Sequence, residues 1–278
     1  MHTWNPVDAI VLAGGINRIP LYQDYQPGYK ALLPLAGKPS IQYSLEALQA
    51  LPQVRSIRIV GDRKQLEPLL ARIPSLGSVE ILPSGESLVD SVRSGLYASY
   101  DLDGVLVATA DQPLITSSAV ADFLQACEPV ESDWDHNLFL SVIPEKCYTG
   151  EYRRFTKPFN HFRDVSICHG NLGLVDPKII DNQGAMECIG ELYRNRKNPL
   201  TSALSVGAAV GIAYLLGVHA LHALTLAQFA EMASRRLGIG VLPVFLEHPE
   251  VSLDMDDADD YRFIATHFVR LAQAGAAA

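Results

Sequence analysis

Short apolar runs of strand length alternate with amphipathic stretches along the first half of this 278-residue chain, and no other feature narrows the possible folds as much. After its first residue, Asp8–Ala13 is continuously apolar, as suits a strand covered on both faces. Ser40–Leu51 follows with Ile41, Leu45 and Leu48 at helical spacing. Ser56–Val60 and Val79–Leu82 read as further strands, and Ser87–Tyr100 as a helix with Leu88, Val92, Leu96 and Tyr97 on one side. Gly104–Ala108 is the next strand and Ser117–Ala126 the helix after it. Strand–helix repetition of this kind predicts an α/β fold with a mostly parallel sheet and helices on both faces. Leu138–Ile143, Asn171–Val175 and Gly238–Phe245 are expected to add strands, and Gln183–Arg194 a helix. Val251–Ala272 closes the chain: an acidic cluster opens a helix whose apolar side carries Phe263, Ile264, Phe268 and Leu271. Asp257 is the expected N-cap, with Asp259 and Asp260 in the first turn, where the helix dipole favours negative charge.

The chain is long enough, and at 48% hydrophobic apolar enough, for one large α/β domain with an insertion. We read one domain over 1–273, a helical insertion at about 183–235 and a frayed tail at 274–278. A net charge of -9 disfavours nucleic acid as a partner, because its phosphates would be repelled. Cys127, Cys147, Cys168 and Cys188 form no CxxC pair, which fits reduced thiols in a cytoplasmic protein better than a zinc site. The first residues lack a basic segment ahead of the apolar run, so Asp8–Ala13 is read as a strand and not as a signal peptide. Between Lys197 and Glu231 there is no Asp, Glu, Lys or Arg. This stretch reads as a buried helical hairpin broken near Gly217, or as an oligomer interface or weak membrane-surface contact through 199–227. A true membrane span fits poorly, because the flanks carry no aromatic belt.

Chemistry is concentrated at four places. Leu12, Ala13, Gly14 and Gly15 follow the first strand directly, and paired glycines let backbone approach a ligand closely. The loop that follows ends at Lys30, suited to neutralising phosphate oxygens. Neither G-x-G-x-x-G nor a P-loop pattern is present. A second turn, Gly85–Leu96, leads into a helix that carries Ser91. Asp111 follows a central strand, at the sheet edge where ligands of such folds bind. Asp254 and Asp256 lie two apart, on one side of an extended stretch.

Together, LAGG at 12–15 and the K-x-L-x-P-x-x-G-K-P run of Lys30, Pro34, Gly37, Lys38 and Pro39 resemble the molybdenum-cofactor (MobA-like) and sugar-nucleotide NTP transferases. The resemblance covers roughly 8–125 and 238–272. It implies a Rossmann-like sheet of glycosyltransferase-A type and transfer of a nucleoside monophosphate from an NTP to a phosphorylated small-molecule acceptor, a sugar or cofactor phosphate. By the same resemblance Leu12, Ala13, Gly14, Gly15, Lys30, Gly85 and Ser91 would bind nucleotide, and Ser91 would lie near the base or ribose. Lys30 and Asp111 would be catalytic. Asp111 and Asp256, with Asp254 as a further candidate, would hold Mg2+. Asn171 could contact the acceptor. Asp259 and Asp260 would be surface residues only. One departure stands out: Arg18 comes three positions after Gly15, where the family places its basic residue four after. Two other readings stay open. A nucleotide-binding regulator would bind NTP without turnover, and a sugar-nucleotide glycosyltransferase would be expected to carry D-x-D where this chain has Ala110-Asp111-Gln112.

Overall fold

Val7–Leu12 (β1) lies at the middle of the sheet, and its side chains divide between two apolar layers. Ala9 and Val11 pack with Ile41, Leu45, Leu48 and Phe123 on one face. Ile10 packs with Val89 and Leu96 on the other. A strand with cover on both sides has no use for polar alternation, which is why its sequence is a continuous apolar run. Each fully buried Ile, Leu or Phe of these layers contributes about 1.5–3 kcal/mol relative to exposure. The computed structural model describes residues 6–73, 77, 79–128, 132–154, 158–195, 207–214 and 222–276.

The strands after β1 are Ile16–Asn17 (β2), Gly28–Tyr29 (β3), Pro34–Leu35 (β4), Lys38–Pro39 (β5), Val54–Gly61 (β6), Val79–Pro83 (β7) and Val105–Thr109 (β8). Asn137–Pro144 (β9), Asn160–His161 (β10), Ser166–Val175 (β11) and Gly240–Phe245 (β12) follow. The main sheet runs β12-β9-β11-β8-β1-β6-β7, with β10 beside β11; β2-β3 and β4-β5 are small separate ribbons. The pairs β7–β6, β6–β1, β1–β8 and β9–β12 are parallel. The sheet is thus mostly parallel, with β11 inserted antiparallel between β8 and β9.

Helices Ser40–Gln49 (α1) and Ser117–Cys127 (α4) cover the first face. Leu88–Tyr97 (α3), Gln183–Asn195 (α5) and Leu226–Leu237 (α7) cover the second. Arg63–Leu70 (α2) carries Pro68, with Leu66, Leu69 and Leu70 at helical spacing turned to the core; its start is set by Asp62, whose carboxylate accepts from the Lys64 N–H. Ala208–Ile212 (α6) precedes α7, and Ala258–Ala276 (α8) closes the chain. The α/β class with helices on both faces is as the alternation predicts.

Several details differ from the sequence reading. In α3 the buried side is Val89, Ser91, Gly95 and Leu96, not the side holding Leu88 and Tyr97, and Tyr97 is 75% exposed. Gly95 is the reason: a Cβ there would lie 2.7 Å from Ile10 Cδ1, so the glycine turns to the sheet and lets α3 approach β1. Gly238 is not part of β12 but caps α7 in the left-handed region. The closing helix starts at Ala258 and runs to Ala276, so it takes in residues 274–276 despite Gly275. Within the uncharged stretch, 196–206 and 215–221 lie outside the described residues, and with them Gly217 and much of 199–227. Among the described residues no helix is long and apolar enough to cross a membrane.

At the N-terminal end of β1, away from the strand ends that carry the glycine turn, Asp8 is buried at 1% exposure. Its carboxylate accepts from Arg55 Nε at 2.9 Å and from Arg58 Nη1 at 2.7 Å. Burial alone would raise its pKa, but the two guanidiniums outweigh that and hold it below the usual carboxylate range. Stability from this ionised group is therefore present above its unfolded pKa of about 3.9 and is lost as pH falls through the lower folded value. Asp8→Asn should cost about 1.5–3 kcal/mol near neutral pH. In denaturant melts the gap between variant and wild type should close below about pH 4; a pH-independent gap would contradict the assignment.

Candidate functional site

Because β1, β6, β7 and β8 are parallel, the loops leaving their C-terminal ends share one edge of the sheet. Three ladder bonds carry this order into the loops. The Ala13 N–H donates to Val60 O at 2.8 Å, the Ala110 N–H donates to Leu12 O at 3.0 Å, and the Lys30 N–H donates to Gly15 O at 2.9 Å. The last of these follows from the β2–β3 ribbon, which pairs Ile16 with Tyr29 and Asn17 with Gly28. The chain leaves the glycine turn, makes a hairpin and returns Lys30 to Gly15.

Lys30 Nζ donates to Asp111 Oδ2 at 2.9 Å and also to Asp256 Oδ1. Burial pulls the ammonium's pKa down, but the carboxylates of Asp111 and Asp256 more than offset it and hold the group firmly protonated. Asp111, Asp254 and Asp256 each place a carboxylate oxygen within 4.8 Å of the others. Oxygen donors from three carboxylates suit a hard divalent cation such as Mg2+. The structure thus gathers Lys30, Asp111, Asp254 and Asp256 beside Gly15, from segments more than two hundred residues apart.

Buried polar bonds hold these segments. Ser40 Oγ donates to Ala110 O at 2.9 Å and Ser44 Oγ to Gln112 O at 3.2 Å, so α1 grips the loop on both sides of Asp111. Gln112, fully buried, donates through Nε2 to Val251 O at 2.6 Å and ties that loop to the acidic C-terminal segment. The Asp256 N–H donates to Asp260 Oδ2 at 3.1 Å. Asp260 is therefore more than the surface residue expected of it; Asp259 pairs at the surface with Arg262. Asp257 Oδ1 accepts from the N–H groups of both Asp259 and Asp260 at 2.9 Å, as an N-cap should.

Gly85 and Ser91 form a second wall, built differently from the expectation. Ser91 is buried and its Oγ accepts from the Gly85 N–H at 3.1 Å while donating to Ser87 O at 3.0 Å. The hydroxyl faces into the loop and shapes it. A capping box between Ser87 and Asp90 starts α3. Gly85 is required by close packing, since a Cβ there would lie 2.2 Å from Asp90 Cβ. Gly14 lies against this loop, its notional Cβ 3.4 Å from Ser84 Cβ.

The K-x-L-x-P-x-x-G-K-P run divides in two. Lys30 enters the carboxylate cluster, whereas Lys38 pairs with Glu46 at 2.8 Å and sits over the Tyr43 ring. Ala36 and Gly37 both have positive φ, 46° and 87°, in the tight turn joining β4 to β5. Arg18 is exposed. The residue of that loop that is tied into the site is Asn17, which is buried and bonds to Asp256 O through Nδ2 at 3.2 Å. Asn171 lies in β11 where its register with β9 shifts between His169 and Gly173. Gly173 pairs with Val107 of antiparallel β8, so Asn171 stands toward the same sheet edge as Asp111. Ser141 Oγ restores the bonds lost at this irregularity, accepting from the Leu172 N–H and donating to Leu172 O. Ser40, Ser44, Gln112 and Asn17 have no sequence pattern that marks them.

Residues 9–137 match the MobA-like NTP transferase domain. A 2-C-methyl-D-erythritol 4-phosphate cytidylyltransferase from Dehalococcoides mccartyi (strain CBDB1) is 32% identical over 125 residues, 44% of this chain and 53% of the relative. The chain thus spans about half the length of the curated relatives it matches. A solved structure described as a hypothetical transferase from Thermus thermophilus is similar over 92% of this chain and 99% of its own, at 28% identity and a TM-score of 0.72. A nucleotidyl transferase from Methanothermobacter thermautotroptrophicus shares the fold at 16% identity and a TM-score of 0.56, over 96% of this chain and 99% of its own.

Two glycines should separate by cause. Gly37→Ala meets open space and should cost about 1 kcal/mol, from its positive φ alone. Gly85→Ala must displace Asp90 and the start of α3, and should cost about 1–3 kcal/mol. Urea midpoints of the two variants check this; Gly85→Ala as mild as Gly37→Ala would contradict the close packing.

Proposed function

We propose that this chain is a metal-dependent nucleotidyltransferase, moving a nucleoside monophosphate from an NTP to a phosphorylated small-molecule acceptor and releasing pyrophosphate. One observation carries the reading: Lys30, Asp111, Asp254 and Asp256 converge beside the Gly14-Gly15 turn at the ligand-binding edge of the sheet. The match to the MobA-like NTP transferase domain supports it.

The charges favour a cation as cofactor. Three carboxylates against one ammonium leave a net charge of -2 (-3 + 1) where a polyanionic triphosphate must lie. Asp111, Asp254 and Asp256 would hold a divalent cation that offsets that charge and, when bound, would supply Lewis-acid stabilisation to phosphate oxygens. The chain's own groups do the rest. Phosphates can approach the backbone at Leu12–Gly15 closely, because no side chain projects from Gly14 or Gly15. Lys30, kept protonated by its two carboxylate partners, offsets charge on the leaving pyrophosphate. An acceptor phosphate oxygen forms a bond to the α-phosphorus while the bond to the pyrophosphate oxygen breaks, so no protein nucleophile is needed. Gly85 and Ser91 shape the wall for the nucleoside, and Asn171, across β8 on β11, is placed for the acceptor. Because the relatives are named as cytidylyltransferases acting with a phosphorylated sugar alcohol, cytidine triphosphate is the first donor to test.

A pyrophosphate-release screen of the four NTPs against sugar phosphates and phosphorylated cofactors tests the reading. Asp111→Asn should lower the rate by on the order of a hundredfold or more. Near-normal turnover in that variant would sink the assignment, and NTP binding without pyrophosphate from any acceptor would favour a regulator.

A further inference from the structure

The loop between Gly15 and Lys30 departs from the pattern it resembles at Arg18, and the structure shows a different residue fastening it. Asn17 is 4% exposed, with two of its bonds inside its own loop and one to the C-terminal segment. Its Oδ1 accepts from the Ile19 N–H at 2.8 Å, an Asx-type turn that shapes the loop. Its backbone carbonyl accepts from Tyr25 Oη at 2.8 Å. Its Nδ2 donates to the Asp256 carbonyl at 3.2 Å, across 239 positions of sequence. The last bond has no purely local purpose. It runs from the phosphate-facing loop to the main chain of a cation-facing carboxylate.

We infer that Asn17 is a positioning residue that couples the two halves of the site by fixing the Asp256 backbone against the Gly14–Lys30 loop. The inference rests on the nucleotidyltransferase reading above and deepens it. Asp256 needs such a brace. Its side chain is 61% exposed, and it shares the cluster with two other carboxylates that repel it. Asp260 holds Asp256 through its N–H, from the first turn of α8. Asn17 holds it through its carbonyl, from the other side of the site. Together they clamp one peptide unit on each flank of the Asp256 Cα, which fixes the direction of its Cα–Cβ bond. Outer partners of this kind set the affinity of a metal site without touching the metal.

Two substitutions separate the brace from the turn. Asn17→Ser keeps a hydroxyl able to cap the Ile19 N–H, though more weakly, and loses the donor to Asp256. Asn17→Ala loses both. Mn2+ alone, titrated calorimetrically into nucleotide-free protein, reads the carboxylate cluster directly, and urea midpoints report the fold. The expected result is a Kd for Mn2+ raised about tenfold in both variants, with Asn17→Ser close to wild type in its unfolding midpoint. Wild-type Mn2+ affinity in Asn17→Ser with a loss only in Asn17→Ala would overturn the inference, because the loop turn alone would then matter. Unchanged affinity in both would overturn it as well. Wild-type protein that binds no Mn2+ and releases no pyrophosphate would overturn the function itself, an outcome distinct from either.

Discussion

The contact between the Lys30 ammonium and the carboxylates of Asp111 and Asp256 is the interaction around which the functional edge is organised. Like charges this close repel by about 1 kcal/mol in water and by several times that near a protein surface. A fold brings them together only if something else holds the backbone. Here the holding is done mostly by neutral bonds, from Ser40 and Ser44 of α1, from Gln112 to Val251 and from Asn17 to the Asp256 carbonyl, with the Asp260 carboxylate on the Asp256 N–H. Lys30 relieves part of the repulsion and is itself kept charged by the carboxylates of Asp111 and Asp256. The carboxylates thus stabilise the ionised lysine, and the scaffold holds the carboxylates together against their own repulsion.

What was legible in the sequence followed from burial on two faces. A strand such as β1, covered on both sides, must be an apolar run, and an aspartate just past the end of such a run stands out, as Asp111 does. The pair Asp254 and Asp256 was legible for a related reason: period-two spacing places both on one side. Less could be read where the determining fact is a neighbour distant in sequence. The outward turn of Tyr97 depends on Gly95 meeting Ile10. The inward hydroxyl of Ser91 depends on the N–H of Gly85. The antiparallel setting of β11 depends on which edge of β8 is open, and neither strand's composition encodes that. Asn17 looked like any loop asparagine because its partner lies at the far end of the chain.

The match to the NTP transferase domain ends at residue 137, yet the carboxylate cluster does not end there. Asp111 belongs to the matched segment. Asp254 and Asp256 come from beyond it, after β9, β11 and β12 have been added to the same sheet. The later part of the chain therefore serves two purposes. It extends the sheet on the side away from β7, and it returns to the edge of β1 and β8 to complete the cluster.

That return has a consequence in time. Lys30 is 81 residues from Asp111 but 226 from Asp256. At about 5–20 residues per second of synthesis, roughly 10–45 s separate the emergence of Lys30 from that of Asp256. The strands around β1 can pair during this interval, and Lys30 can find Asp111, while the last carboxylates are still unmade. A nascent chain would then carry the Gly14-Gly15 turn with Lys30 beside Asp111 before it carries the other two carboxylates, and the cluster closes as one of the last long-range events in folding.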